Sequence, residues 1–253
     1  MAVIVGEKAW HRYVDQLRRI DTTATKAFTH LSMQIERDII SGKITEQAGI
    51  NKIIDIAYGI ATKYGEAAAT RAATMYDALA ALSKAKIPAA VPAKTATMAE
   101  AAKVVNATRK FGTNMTAQAV GRMVRQAGAD TMMQNAVRDK AYWAWIPEGG
   151  ETCAFCITLA SQGWLPASEE QLAGGHAEHI HPNCNCTFAI RFGAELDIGG
   201  YEPDKYRKMY DEADGNSPQD KINAMRRDIY EENKDEINAQ KRIAYAERTA
   251  DEI

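Results

Sequence analysis

All four cysteines of the 253-residue chain, Cys153, Cys156, Cys184 and Cys186, fall within one short stretch, together with three of its five histidines, His176, His179 and His181. The stretch reads ETCAFC, then 24 residues, then HPNCNC. It is also where the chain can least support a conventional core. Pro147, Gly149, Gly150, Gly163, Pro166, Gly174, Gly175 and Pro182 interrupt any long helix. A turn-rich module of about forty residues buries too little apolar surface to stand by itself, so a metal that binds only the folded form would supply the missing folding free energy.

The residue types point to zinc. A Cys-x-x-Cys turn presents two thiolates to one ion at tetrahedral angles, and a second pair from a later turn completes the shell. Soft thiolate and imidazole donors suit Zn²⁺, which adds no redox chemistry. The candidate ligands are Cys153, Cys156, His181, Cys184 and Cys186. One reading takes all four cysteines and keeps His181 outside the coordination sphere. The other pairs His181 with Cys184 and omits Cys186. We favour the first, and the structural alternative is four buried thiols acting as small hydrophobes.

Catalytic readings of the same residues fit less well. His176-Ala177-Glu178 matches the H-x-E of zinc deaminases, but Pro182-Asn-Cys-Asn-Cys186 has the wrong cysteine spacing and follows too closely. A redox role for Cys153 and Cys156 lacks the expected βαβ setting. An HNH-type nuclease could use His179 or His181 as base, but the downstream Asn and second His of that motif are missing. A closed four-ligand site also offers no open position for metal-centred chemistry. The chain is therefore expected not to be an enzyme.

Outside this stretch the pattern is helical, and the fold class expected is mainly α. Residues 1–85 form an N-terminal helical region. There Trp10, Tyr13, Val14, Leu17 and Ile20, then Phe28, Leu31, Ile35 and Ile39, recur at spacings of three and four. Ser41-Gly42 ends that stripe. A second, Ala-rich helix runs from about Thr45 to Leu82, with a break expected near Gly59 or Gly65. Its small side chains allow a neighbour to approach closely. Residues 86–98, with Pro88 and Pro92, form a linker, and 99–144 return to helix, ending near Tyr142. The methionines of that region read as core in preference to a partner groove. Residues 145–200 form the small zinc-stapled α+β module, with a strand over 186–192. Residues 201–253 form a charged helical tail. In it DKINAMRRDIYEENK (220–234) repeats as DEINAQKRIAYAERT (235–249). Fifteen residues slightly exceed four turns, so matched residues drift around the helix.

The 31 basic and 33 acidic residues give a net charge of −2, unlike a protein that coats nucleic acid. No apolar run is long enough to span a bilayer. The first twenty residues lack the pattern of a signal peptide, and a reducing cytosol is expected.

The motifs Trp145-Ile-Pro-Glu-Gly-Gly-Glu-Thr-Cys-Ala-Phe-Cys156, Leu159-Ala-Ser-Gln-Gly-Trp164 and His181-Pro-Asn-Cys-Asn-Cys186 resemble the MuF-like minor capsid, or head morphogenesis, proteins of tailed bacteriophages. Lys63-Tyr-Gly-Glu66, Gln126-Ala-Gly-Ala-Asp130, Gly175-His-Ala-Glu-His-Ile-His181 and Asp204-Lys-Tyr206 add to the likeness. The resemblance implies a virion component inside the head near the portal, made in the bacterial host cytoplasm. It would act in head assembly and in DNA packaging or ejection. Its implied partners are portal and head proteins, with DNA and further copies of the chain as candidates and no membrane. Any DNA contact is expected at Arg226, Arg227, Lys241 and Arg242. A host zinc-ribbon protein that binds nucleic acid is the alternative outside this family.

Overall fold

A computed structural model describes residues 3–5, 7–148, 152–170, 186–193 and 196–250. The chain divides into two compact units. The first comprises residues 1–146 with 164–201, and the second 147–163 with 202–253. Segment 145–200, read from sequence as one module, thus contributes to both units.

The first unit is built on helices α1 (Glu7–Ile40), α2 (Glu46–Leu82), α3 (Met98–Thr108) and α4 (Thr113–Arg138). Of the stripe expected on α1, Trp10, Tyr13, Val14 and Phe28 are buried and Leu17, Ile20, Ile35 and Ile39 half-buried, while Leu31 is exposed and Ala24 takes a buried place beside Phe28. Gly42 takes φ +71° just past α1, and its N–H donates to the Ile39 carbonyl at 3.0 Å. Thr45 then opens α2, its hydroxyl accepting from the Ala48 N–H at 3.2 Å. The break expected at Gly59 or Gly65 is absent, since α2 runs unbroken to Leu82. Gly65 costs helix propensity but gives room for another segment: a Cβ there would lie 3.0 Å from Thr95 Cγ2. Ala68, Ala69, Ala72 and Ala73 are buried on the same helix.

The proline-bearing segment between α2 and α3 is tied to α4 by hydrogen bonds. Asn135 receives the Val91 N–H at 2.9 Å and donates to the Val91 carbonyl at 2.8 Å. Thr131 receives the Ala93 N–H at 2.9 Å, and Arg138 donates to the carbonyls of Ala89 and Pro88 at 3.2 and 3.1 Å. Side chains of one helix thereby satisfy an extended backbone that has no strand partner there. Thr97 and Glu100 close a capping box that starts α3.

α4 ends at Arg138, earlier than its sequence suggests, because Tyr142–Ile146 form strand β2. β2 lies between β3 (Leu165–Pro166) and β4 (Thr187–Arg191), antiparallel to both. The strand expected over 186–192 is thus present. Trp145 pairs with Phe188, their rings edge to face at 4.6 Å. A second small sheet, unforeseen from sequence, pairs β1 (Val3–Val5) in parallel with β5 (Leu196–Ile198). Met123, Met132 and Met133 are buried and belong to core packing, while Met115 in the first turn of α4 is exposed.

The second unit holds α5 (Ala154–Ala160), α6 (Pro203–Glu212) and α7 (Pro218–Ala250). Its core joins Ala154, Ile157 and Met225 with Tyr206, Tyr210, Ala213, Ile222 and Ile229. The tail read as one helical stretch is two helices. Lys221 Nζ donates to the carbonyls of Tyr210, Asp211 and Ala213 at 3.0–3.1 Å and so caps the end of α6. Ser217 and Asp220 cap α7 reciprocally. Among the described residues, the repeat's members of this core, Ile222, Met225 and Ile229, come from its first copy.

The linker bonds predict a clear asymmetry. Asn135→Ala should lower stability by about 2–3 kcal/mol, since it orphans buried backbone groups. Gln134→Ala, which removes one exposed donor to Val91, should cost under about 1 kcal/mol. Urea denaturation measures both, and equal losses would show that the linker is not held through Asn135.

Candidate metal centre

Two of the five candidate ligands sit on one turn of the second unit. Cys153 is the N-cap of α5, with extended backbone (φ −71°, ψ 155°), and its Sγ accepts the Cys156 N–H at 3.4 Å. Cys156 is buried and Cys153 half-buried. The local sequence explains the geometry. Ala154 and Ile157 anchor α5 in the unit's core, which fixes the turn on which both thiols are carried. An N–H donated to Sγ favours the thiolate, the form that binds zinc. This donor set fits half of a zinc site.

Cys186 belongs to the first unit, where it immediately precedes β4 and is half-buried. His181 and Cys184 lie outside the described residues, as do His176, Glu178 and His179 of the deaminase and nuclease readings. Among the described residues no group of three or more His, Cys, Asp or Glu side chains converges as a metal site. The structure therefore pairs Cys153 with Cys156 and places Cys186 on a different element.

Cys186 also lines a cavity of about 200 Å³ in the first unit, a feature not foreseen from residue spacing. Its walls come from α1, α2, α4 and β4, including Tyr13, Leu17, Ala68, Met132 and Phe188. Across it Arg125 Nη1 meets Asp21 Oδ2 at 2.8 Å, both side chains 19% exposed. Burial raises the Asp21 carboxyl above its usual range, with the Arg125 charge and hydrogen bond opposing. Asp21 Oδ1 is buried and makes no hydrogen bond. It lies against Gly121, where a Cβ would collide with it and with Thr25 Oγ1. Gly121 in α4 is thus what lets the Asp21–Arg125 pair form, a link that only the tertiary structure reveals.

Comparison with known families gives one result. A family model described as VG15 protein matches residues 5–213. The chain belongs to the VG15 protein family. That family is viral, of phage origin. The match extends from β1 to the residue after α6, so the matched stretch of this chain contains all five candidate ligands and the helices that precede them. No curated protein and no solved structure matched the chain.

The two glycines of α4 that face neighbouring helices should respond differently to alanine. Gly121→Ala displaces Asp21 from Arg125 and should cost about 1–3 kcal/mol. At Gly128 a Cβ would stand 3.5 Å from the Ala68 carbonyl, an ordinary contact. Gly128→Ala should be neutral or gain up to about 1 kcal/mol of helix propensity. Thermal unfolding of the two variants checks this, and a neutral Gly121→Ala would remove the proposed constraint.

Proposed function

We propose that this phage protein is a minor head component that acts near the portal in head assembly and in DNA packaging or ejection. In this reading it is not an enzyme, and it carries one structural zinc held by four of Cys153, Cys156, His181, Cys184 and Cys186. The observation that carries the proposal is the Cys153–Cys156 turn, with its N–H···S hydrogen bond, within a stretch matched by a phage family. The motif His181-Pro-Asn-Cys-Asn-Cys186 supplies the remaining donors.

Zinc in this setting would act as a cross-link, replacing the apolar area that the glycine- and proline-rich stretch lacks. Helical packing supports a scaffolding role: α1, α2 and α4 share one apolar core that includes Phe28, Ile53, Ala57, Val120 and Val124. Among the described residues no helix is long and apolar enough to cross a membrane, in keeping with a protein enclosed by a capsid. Portal and head proteins are the partners proposed, with more than one copy per particle allowed.

Purified protein should contain about one zinc per chain. Cys153→Ser should lose that zinc together with thermal stability, as measured by mass spectrometry of the metal and by melting. Full retention of zinc in Cys186→Ser would assign the fourth ligand to His181, while a wild-type protein without zinc sinks the metal proposal. For the head assignment, the tagged chain should co-purify with phage heads in a few copies per particle. Heads that consistently lack it would exclude the role.

A further inference from the structure

The outer face of α1 carries a line of basic residues that the overall charge of −2 conceals. At about 100° per residue, Lys8, Arg12, Arg19, Lys26, His30 and Arg37 project within a sector of about 40°. All six are exposed. At ~1.5 Å per residue the line is about 43 Å long. Arg18 flanks it, 3.8 Å from Asp15, the acidic side chain nearest the line. Lys8, Arg12, Arg19 and Lys26 enter no ion pair among the described residues. Holding like charges in a row is unfavourable by itself, so the helix is suited to a polyanion that would neutralise them.

We infer that this face of α1 binds the phosphate backbone of duplex DNA. The inference builds on the head-protein reading above and names the surface that meets the packaged genome. Duplex DNA is favoured by length, since the line exceeds one helical turn of about 34 Å and can reach phosphates on either side of a groove. From Lys8 to His30 the stripe holds Asp15, Thr22 and Thr23 between its basic residues and no aromatic side chain, so it offers no platform for stacking single-stranded bases. An anionic bilayer would require apolar side chains to insert beside the charges along the line; Trp10, Tyr13, Val14 and Phe28 of α1 are buried in the helical core, and the exposed Leu31, Met33 and Ile40 lie beyond His30, at the C-terminal end of the helix. The tail residues expected to touch DNA serve less well. Arg226 and Arg227 are exposed, but Asp228, Glu231 and Glu232 follow them on the same exposed helix.

The test is fluorescence anisotropy of the full chain with a labelled 30-base-pair duplex of arbitrary sequence, between 50 and 200 mM salt. Wild type should bind with a steep salt dependence. The triple variant Arg12→Glu, Arg19→Glu, Lys26→Glu should bind at least roughly 30-fold more weakly, with the log–log salt slope reduced by about 2–3. The neutral triple Arg12→Gln, Arg19→Gln, Lys26→Gln should show a smaller loss in the same direction, and serves alone if the charge reversal disturbs folding. Arg226→Glu with Arg227→Glu should bind as wild type does. Unchanged affinity in both triple variants, an equal loss in the tail variant, or tighter binding to phosphatidylglycerol–phosphatidylcholine vesicles than to DNA would each overturn the inference. Co-purification with heads is scored separately. Heads that carry the wild-type chain while it fails to bind DNA defeat only this inference. DNA binding through α1 by a chain missing from heads defeats only the head assignment.

Discussion

Close approach of α4 to its two long neighbours sets the rest of the first unit. Against α1, Gly121 leaves the space that Asp21 needs to reach Arg125. Against α2, Gly128 sits over Ala68 at backbone distance. Side chains of ordinary size at these points would push the helices apart and open the core formed by Phe28, Ile53, Ala57, Val120 and Val124. The ion pair is not itself a large source of stability, because burying two charges costs about what their attraction returns. Its effect is on register. A half-buried carboxylate with one oxygen already unbonded tolerates no displacement of its single partner, so α1 and α4 have one favourable alignment.

How much of this was legible in the sequence depends on whether the deciding contact is local. The inward stripe of α1, the stop at Gly42 and the short β4 strand follow from spacing and turn chemistry within a few residues. The Ala-rich character of α2 correctly suggested close packing, but Gly59 and Gly65 suggested a break. Each glycine weakens the helix by about 1 kcal/mol, which thirty-seven residues of packed helix absorb. Asn135 and Thr131 were unreadable for a different reason. Inside a helical pattern they look like unremarkable polar residues, and their purpose lies in a segment some forty positions earlier. β1 was missed because a three-residue strand at the start of the chain has no period to detect, and its partner is nearly two hundred residues away.

The cysteine cluster shows the same limit in sharper form. Its composition and spacing pointed to zinc and to five candidate donors, and the structure adds the geometry of the first two, with the Cys153 sulfur accepting the Cys156 amide N–H. That bond is dictated by the N-cap position, a local effect, and it lowers the cost of making a thiolate before any metal arrives. Spacing alone could not reveal that the two halves of the motif arise from elements of different units, with α5 packed against α6 and α7 and Cys186 leading into β4.

The fifteen-residue repeat and the α1 stripe carry opposite lessons about charge. In α7 the duplication is one of sequence, and residues that pack in its first copy are replaced in its second. Met225 in the core corresponds to Gln240, and Ile229 to Ala244. A shift of fifteen residues rotates matched positions by about 60°, so a duplicated stripe could not have lain on the same surface. Its basic and acidic residues balance, and the helix has no directional field to offer a polyanion. In α1 no repeat is visible and the surrounding composition is unexceptional, but the seven-residue steps Arg12, Arg19 and Lys26 return to nearly the same angle each time. Periodicity of charge, tested against the helix angle as strictly as periodicity of apolar residues, is therefore the sequence signal that best distinguishes a binding face from a solvated one.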